Sequence, residues 1–254
     1  MNNEAAKLNL YTEAARDAAQ AGDLNAAINY IVAALNEEPS NLEHRIFLAN
    51  ILVQSGKISD AIQVLDVYLR ARPSSVDAWV ARNAIGTKLP GSSSLELGCG
   101  EHLRNNFGAS NVYGLDIRED LDKNILTADL ATDPLPFPDS FFDVVIAEHV
   151  IEHIPRLIYV PNRRYAFIEL MSEIWRILKP HGMFYSVTPA YPHPEVFQDP
   201  THVNFITEKT FPAYFCFAVP WAKQYGFCGR FNFTSQIWEG PCLKTVLNKI
   251  DLEN

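Results

Sequence analysis

The chain has 254 residues, of which 48% are apolar, and this is enough to bury a sizeable core in one or two domains. Its formal net charge of -9 disfavours a nucleic-acid ligand, because a phosphate backbone is normally bound by a basic protein surface. The one basic patch visible in the sequence, Arg156 with Arg163 and Arg164, is more typical of a solvated helix start.

Two further kinds of protein are disfavoured by the sequence. No window approaches eighteen uncharged apolar residues, and the first residues lack a basic and apolar leader, so we expect neither a membrane span nor secretion. The four cysteines include no Cys-x-x-Cys pair, which favours a reduced, cytoplasmic chain. Their spacing does not supply the clustered ligands of a structural zinc site, so no metal is expected.

An internal repeat with a period of about 34 residues runs through residues 8–75. The matched pairs are Gly22 and Gly56, Ala27 and Ala61, Ile28 and Ile62, and Pro39 and Pro73. This pattern resembles the tetratricopeptide repeat, in which each unit is two helices joined by a turn. A half unit from Val76 to Gly86, with Trp79 at the position where the pattern prefers tryptophan, would cap the stack.

The resemblance leaves two roles open for this helical region. Stacked helix pairs often present a groove for a peptide or another subunit, so the region is a candidate recruiting arm for a protein partner. With two full repeats, it could instead pack on the rest of the chain or mediate self-association. The polar, turn-rich residues 88–94 form the boundary, so the sequence predicts domains at 1–86 and 92–254.

A buried strand running into a glycine turn follows this boundary, at Glu96-Leu97-Gly98-Cys99-Gly100. Glycines two residues apart let the backbone approach a ligand where a side chain would intrude. Such a turn is equally common as a plain connector, so the following segments decide its meaning.

Those segments alternate apolar runs with a helix. Strands ending in acids are predicted at Val112–Ile117 and Phe141–His149, with a further acid in Thr127–Leu130, a helix at Tyr165–Leu178 and a strand at Met183–Val187. This order predicts an α/β fold with a mostly parallel sheet. The order of motifs in residues 92–190 resembles the class I S-adenosylmethionine (SAM) dependent methyltransferases, whose Rossmann-like sheet has one antiparallel strand.

A nicotinamide dinucleotide domain is the first rival interpretation. It would require a third glycine where this chain has Leu103, and its absence argues against a pyrophosphate at the helix tip. SAM has no phosphate, so its loop need admit only a methionine end and a ribose. The carboxylate of Asp116 suits either ligand and does not discriminate between them.

The resemblance implies SAM as cofactor and assigns residues to it. Main-chain groups of Gly98, Cys99 and Gly100 would meet the methionine moiety, and Glu96 would order the loop or approach the amino group through water. Asp116 would accept hydrogen bonds from the ribose hydroxyls. The remaining cofactor residues in this assignment are Ile117, Asp129, Leu130 and Glu148, with Asp129 facing the adenine amine. Asp116 and Asp129 could instead cap helices or close turns, as aspartate often does.

Two histidine positions are candidates for contact with a methyl acceptor. His149 closes the strand from which the methyl group should emerge, and it would line the cofactor pocket or touch the substrate. The later loop carries Asp199-Pro200-Thr201-His202, which resembles a segment of bacterial sugar- and glycan-modifying methyltransferases. Here His202 is the candidate base and Asp199 its orienting partner, although Asp-Pro is also a common start of a turn. His153, in a segment that resembles the family's "LEHI", is expected to have a structural role.

The last third of the chain is predicted to complete the fold. A helix from Thr207 through Trp221 would place its aromatic residues on one face, for the core or for an acceptor pocket. Residues 230–238 are predicted to enter an antiparallel strand pair. The favoured function is methyl transfer from SAM to a small-molecule or carbohydrate hydroxyl. Alternatives are a protein or peptide methyltransferase recruited by the repeats, and a non-catalytic scaffold that binds SAM or nothing and works through its repeats.

Overall fold

The computed structural model describes residues 2–72, 75–86, 88 and 91–250, and these divide into two compact units, Met1–Leu89 and Pro90–Asn254. The first unit contains five helices among its described residues. They are α1 (Asn2–Gln20), α2 (Leu24–Glu37), α3 (Leu42–Gln54), α4 (Ile58–Ala71) and α5 (Val76–Gly86). In the part of the chain that the structure describes, none of the helices has the length and apolar content needed to cross a bilayer.

The helical unit confirms the predicted repeat pattern. Gly22 and Gly56 lie in the turns after α1 and α3 with φ of +80° and +77°. Ala27 and Ala61 are fully buried in one apolar cluster, against which Ile28 and Ile62 also pack. Small buried side chains let neighbouring helices approach closely, as the repeat requires. Pro73 and the side chain of Trp79 lie outside the described residues.

The second unit is built on one seven-stranded sheet. Its strands are β1 (Ser93–Leu97), β2 (Asn111–Asp116), β3 (Ile125–Thr127), β4 (Phe142–Glu148), β5 (Leu178–Pro189), β6 (Phe231–Glu239) and β7 (Cys242–Lys249). The order across the sheet is β3-β2-β1-β4-β5-β7-β6. Among these strands only β7 runs against the others, because it pairs antiparallel with both β5 and β6. The predicted α/β, Rossmann-like class I sheet is confirmed.

Helix α6 (Ala166–Ile177) connects β4 to β5 and packs on one face of the sheet. Phe167, Met171 and Ile174 of this helix join a large buried cluster with Val145 and Phe184. Alternate residues of the same strands point to the opposite face, where Val144, Ile146 and Met183 form a smaller cluster. The sheet is therefore buried on both faces, as expected for a parallel sheet.

The connection from β1 to β2 contains no helix in residues 98–110. Backbone N–H groups in this loop bond to side chains instead of to carbonyls one helical turn earlier. Arg104 N donates to Glu96 Oε2 at 2.8 Å, and Ala109 N donates to Asn105 Oδ1 at 2.8 Å. Such side-chain acceptors compete with helix formation.

The predicted helix from Thr207 to Trp221 is wrong in its length. A helical turn forms around Pro212–Cys216, and a separate 3-10 turn spans Trp221–Tyr225. Phe217 and Trp221, which were expected on the buried face, are half exposed. Pro220 is incompatible with a helix continuing through these residues, because it has no N–H to donate to the carbonyl of Cys216 and its ring would clash with that carbonyl.

A stability prediction concerns the contact of Gly229 with Trp175 of α6. A Cβ atom on Gly229 would lie 2.5 Å from Cγ of the Trp175 ring, whose Nε1 donates to Arg230 O at 2.9 Å. We expect Gly229→Ala to lower the free energy of unfolding in urea by about 1–3 kcal/mol, through overpacking. The neighbouring change Cys228→Ala, at an exposed position, is the control, with an effect within about 0.5 kcal/mol. Equal stability of the two variants would contradict the prediction.

Candidate functional site

Three neighbouring strands, β2, β1 and β4, end side by side at one edge of the sheet. Leu97 of β1 pairs with Leu115 of β2 on one side and with Ala147 of β4 on the other. Strands β2 and β3 lie on one side of β1, and β4 and β5 lie on the other, so the strand order reverses at β1. Open α/β sheets bind ligands in the crevice formed at such a point. The residues predicted to bind the cofactor at the ends of these strands are therefore brought together.

The glycine turn after β1 is tightly packed. Gly98 and Gly100 have φ of +63° and +60°, a region that favours glycine. Gly98 N donates to Leu115 O at 2.7 Å, and a Cβ atom on Gly98 would lie 2.6 Å from Cγ2 of Val150. The turn is thus fixed between β2 and the segment after β4, with its main chain at the edge of the sheet.

Asp116, at the end of β2, holds this turn through its carboxylate. Its Oδ2 accepts a hydrogen bond from Gly100 N at 2.9 Å, and its Oδ1 accepts from N and Nε of Arg118 at 3.2 and 3.1 Å. Burial raises the pKa of Asp116, but the bonds from Gly100 and Arg118 outweigh it and place the pKa below its ordinary value. The group is therefore an ionised acceptor at neutral pH.

Glu96 and Glu148, at β1 and β4, are joined by Arg104. Its Nε donates to Glu96 Oε1 at 2.8 Å, its Nη2 also contacts Oε1, and its Nη1 lies 2.7 Å from Glu148 Oε2. The hydrogen bond with Glu96, which is almost completely buried, raises the pKa of Arg104. Glu96 thus tethers the loop between β1 and β2. Glu148 contacts the same loop a second time, because its Oε1 accepts from Asn106 Nδ2 at 3.3 Å.

The other residues assigned to the cofactor follow β2 and β3. Ile117 is 75% exposed, which leaves an apolar surface beside Asp116. Asp129 is exposed, and its Oδ1 accepts from Ala131 N at 2.9 Å, so it closes a turn with at least one oxygen. Leu130 is buried.

Cys99, between the two glycines, is a buried thiol. Burial raises its pKa to about 11, and the charges of Glu96 and Asp116 act in the same direction. The thiol therefore stays protonated at neutral pH, and its place in the turn is that of a small apolar side chain.

The turn after β4 carries His149, Glu152 and His153. His149 has φ of +53° and a largely exposed ring, whose Nδ1 lies 3.5 Å from Glu152 Oε1. Glu152 is only 1% exposed, and its Oε2 accepts from Thr188 Oγ1 at 2.8 Å. His153 Nδ1 lies 3.0 Å from Thr201 Oγ1.

His202 lies beside this turn, but not in the predicted arrangement with Asp199. Its Nδ1 contacts Val196 O at 3.1 Å, and its ring packs edge-on to His153 with centroids 4.9 Å apart. Asp199 Oδ1 accepts from N and Oγ1 of Thr201 at 2.8 and 2.6 Å, and these bonds hold its pKa below the ordinary value. The expectation that Asp199 orients the His202 ring is corrected, because donors two residues away occupy that oxygen.

Sequence reasoning missed the roles of Arg104, Glu152 and Asn204. Arg104 and Asn204 carry no motif that marks them, although Glu152 lies in the segment that resembles "LEHI". Asn204 is fully buried, donates from Nδ2 to Ile151 O at 3.1 Å and accepts from Arg156 Nε at 2.7 Å. It ties the loop of His202 to the turn after β4.

An apolar cavity of about 510 Å³ lies between the start of α6 and residues 205–225. It is lined by Arg156, Leu157, Tyr165, Phe167, Ile168, Phe205, Thr207, Lys209, Thr210, Ala213, Tyr214, Phe215, Trp221 and Tyr225. Several of the aromatic residues after Thr207 thus line a cavity. Its volume is in the range of small-molecule sites.

Comparison with known proteins agrees with this geometry. A family model described as a methyltransferase domain matches residues 95–186, and one described as a tetratricopeptide repeat matches residues 18–83. No curated protein matches the chain.

Among solved structures, the chain resembles a SAM-dependent methyltransferase from Archaeoglobus fulgidus (18% identity, 72% of this chain and 98% of that one, TM-score 0.42). Another is a SAM-dependent methyltransferase from Mesorhizobium loti (16%, 69% and 100%, 0.42). The helical unit resembles a tetratricopeptide repeat protein from Parabacteroides merdae (23%, 33% and 34%, 0.29). On the two family matches, the chain carries a methyltransferase domain and tetratricopeptide repeats; it is a methyltransferase with SAM as its cofactor.

Proposed function

We propose that this methyltransferase transfers the methyl group of SAM to a hydroxyl of a small-molecule or carbohydrate acceptor. The single observation that carries the proposal is the hydrogen bond from Gly100 N to Asp116, which fixes at the glycine turn the carboxylate that we assign to the ribose. Histidines at the same edge of the sheet, and the aromatic cavity in the same unit, support a small hydroxyl acceptor.

In this proposal Asp116 accepts hydrogen bonds from the ribose hydroxyls. Arg118 bonds to the same carboxylate, and its exposed side chain yields part of that contact to the ribose. The main chain of Gly98, Cys99 and Gly100 lies along the methionine moiety. We assign the adenine ring to the exposed side chain of Ile117.

The acids at the ends of the site have supporting roles. Glu96 orders the loop through its hydrogen bond with Arg104. The guanidinium of Arg104 also forms an ion pair with Glu148, and a guanidinium can bind the carboxylate of the cofactor. Asp129 and the backbone of Leu130 face the adenine amine. The turn that Asp129 closes with Ala131 fixes its carboxylate after β3, which supports this assignment.

Methyl transfer is a single displacement. The acceptor oxygen attacks the methyl carbon as the carbon–sulfur bond breaks, and the sulfonium becomes a neutral thioether. Alignment of the two reactants is the main contribution of the protein, and it is worth about 7–11 kcal/mol of the barrier. A hydroxyl acceptor also loses a proton, which requires a base near it.

The proton is assigned to the histidines beside β4, His149 and His202. A base of this kind adds about 10²- to 10⁴-fold to the rate. Val196 O accepts from His202 Nδ1 and so replaces Asp199 as the group that orients this ring. His149 Nδ1 lies 3.5 Å from Glu152 Oε1, a longer contact than that of His202 with Val196 O.

The repeats support a second proposal, in which residues 1–86 bind a protein partner or a second copy and residues 92–254 form the catalytic domain. A protein or peptide acceptor recruited by the repeats is the alternative to a small acceptor. The two proposals differ in the molecule that receives the methyl group.

All four cysteines are free, which supports a reducing compartment such as the cytoplasm.

Incubation of the full-length protein with methyl-labelled SAM and a cell extract separates these acceptors. We expect label in the small-molecule or glycan fraction, because the proposed site takes a hydroxyl acceptor. Label confined to protein would replace the proposal with its alternative. Absence of binding of both SAM and its demethylated product, measured by calorimetry, would contradict the cofactor site itself.

The role of Asp116 gives a quantitative prediction. Loss of a hydrogen bond to a charged group costs about 1.5–3 kcal/mol, so Asp116→Asn should weaken SAM binding by about 10- to 100-fold in calorimetry. Asp122→Asn, at an exposed position in a short 3-10 turn, should leave the affinity unchanged. Equal affinities of the two variants would exclude Asp116 as the ribose acceptor.

The histidine assignment predicts a separate effect on turnover. His202→Ala should lower kcat by about 10²- to 10⁴-fold at saturating SAM, while the SAM affinity stays unchanged. The control is His193→Ala, in the same loop, whose ring packs on Trp238. Turnover by His202→Ala at the rate of the control would remove His202 from the reaction.

A further inference from the structure

Glu152, His153 and His202 form a cluster in which one donor atom of each residue lies within 4.8 Å of the others. Glu152 is 1% exposed, and among the described residues no lysine or arginine forms an ion pair with it. A buried carboxylate without a cation is costly. Its near contacts are the Thr188 hydroxyl and the His149 ring.

The hydrogen bonds of His202 fix its tautomer. Nδ1 faces Val196 O at 3.1 Å, and a carbonyl oxygen can only accept, so Nδ1 carries the proton. In the neutral ring the lone pair is therefore on Nε2.

The hydrogen bonds of the Thr201 hydroxyl fix the tautomer of His153. The Thr201 hydroxyl donates its only proton to Asp199 Oδ1 at 2.6 Å, so its oxygen accepts from His153 Nδ1 at 3.0 Å. The lone pair of His153 is then also on Nε2. Asp199, which does not contact the His202 ring, instead orients His153 through Thr201.

Backbone bonds hold the two halves of the cluster together. Val203 N and Asn204 N both donate to Glu152 O at 2.9 Å, and Asn204 Nδ2 donates to Ile151 O. His202 and His153 are therefore positioned by main-chain contacts on either side. Metal-binding histidines in proteins typically have this arrangement, with the second ring nitrogen donating to an oxygen.

We propose that Glu152, His153 and His202 bind a divalent transition-metal ion. Two imidazole nitrogens and one carboxylate oxygen suit ions such as Mn²⁺, Co²⁺ or Zn²⁺ better than Ca²⁺, which takes only oxygen ligands. Three protein ligands leave open positions on the ion for an outside oxygen. The residues were not expected as a metal site because His153 and His202 lie far apart in the sequence.

The role of the ion rests on the proposed function. The acceptor hydroxyl oxygen would bind at an open position, where the positive charge favours loss of its proton. The oxygen would then take the methyl group from the sulfonium, and its proton would pass to His149, the neighbouring imidazole outside the ligand set. With the ion bound, the lone pair of His202 would be donated to it and His149 alone would serve as the base; without the ion, His202 keeps its role as base.

Metal binding is tested on the full-length protein after treatment with EDTA and dialysis. Titration with Co²⁺, followed by calorimetry and by visible d–d absorption, should show one ion per chain. His153→Ala and His202→Ala should each lower the Co²⁺ affinity at least about tenfold, and Thr201→Val should also weaken it. His193→Ala is the matched control and should bind as the wild type does.

The proposal is overturned if the wild-type protein takes up no Co²⁺ or Mn²⁺, or if both ligand variants bind Co²⁺ as tightly as the control. The wild-type titration decides the matter even if a variant fails to fold. SAM binding is measured separately on the same protein. SAM binding without metal uptake would overturn the metal site and leave the methyltransferase proposal intact, with His202 as the direct base.

Discussion

The tie between Asp116 and the glycine turn is the contact on which the rest of the site depends. The carboxylate of Asp116 lies at the end of β2 and accepts a hydrogen bond from the backbone N–H of Gly100, which follows β1. One hydrogen bond therefore joins the ends of two neighbouring strands. Gly98 packs on Val150, which extends the same fixed edge to the segment after β4. A ligand that lies across this edge from β2 to β4 meets the carboxylate of Asp116, then the main chain of the glycine turn, then the histidine turn.

Much of the fold could be predicted from the sequence, because its signals are local. The alternation of apolar runs and one helix specified the parallel sheet, and the recurrence of Gly22 with Gly56 specified the helical repeat. The length of the helix after Thr207 could not be predicted in the same way. Its apolar spacing suits a helix, but Pro220 cannot donate the backbone hydrogen bond that a continuous helix requires, and the turn ends early with Phe217 half exposed.

The candidate site was predictable where a motif lies within a few residues, as for the glycine turn and Asp116. It was not predictable where contacts join distant segments. The arginine at 104 bonds to both Glu96 and Glu148, and the histidine at 202 faces a carbonyl rather than the aspartate three residues earlier. Spacing alone does not show which of several nearby oxygens a ring nitrogen reaches, because that depends on how the loop folds back on the sheet.

We propose that SAM lies across the edge formed by β1, β2 and β4, and a crystal structure of the protein with the demethylated cofactor product is the decisive experiment. We expect the ribose hydroxyls at hydrogen-bond distance, about 2.7 Å, from the carboxylate of Asp116, with the methionine moiety over Gly98 and Gly100. A ribose bound elsewhere, with Asp116 still paired only to Gly100 and Arg118, would contradict it.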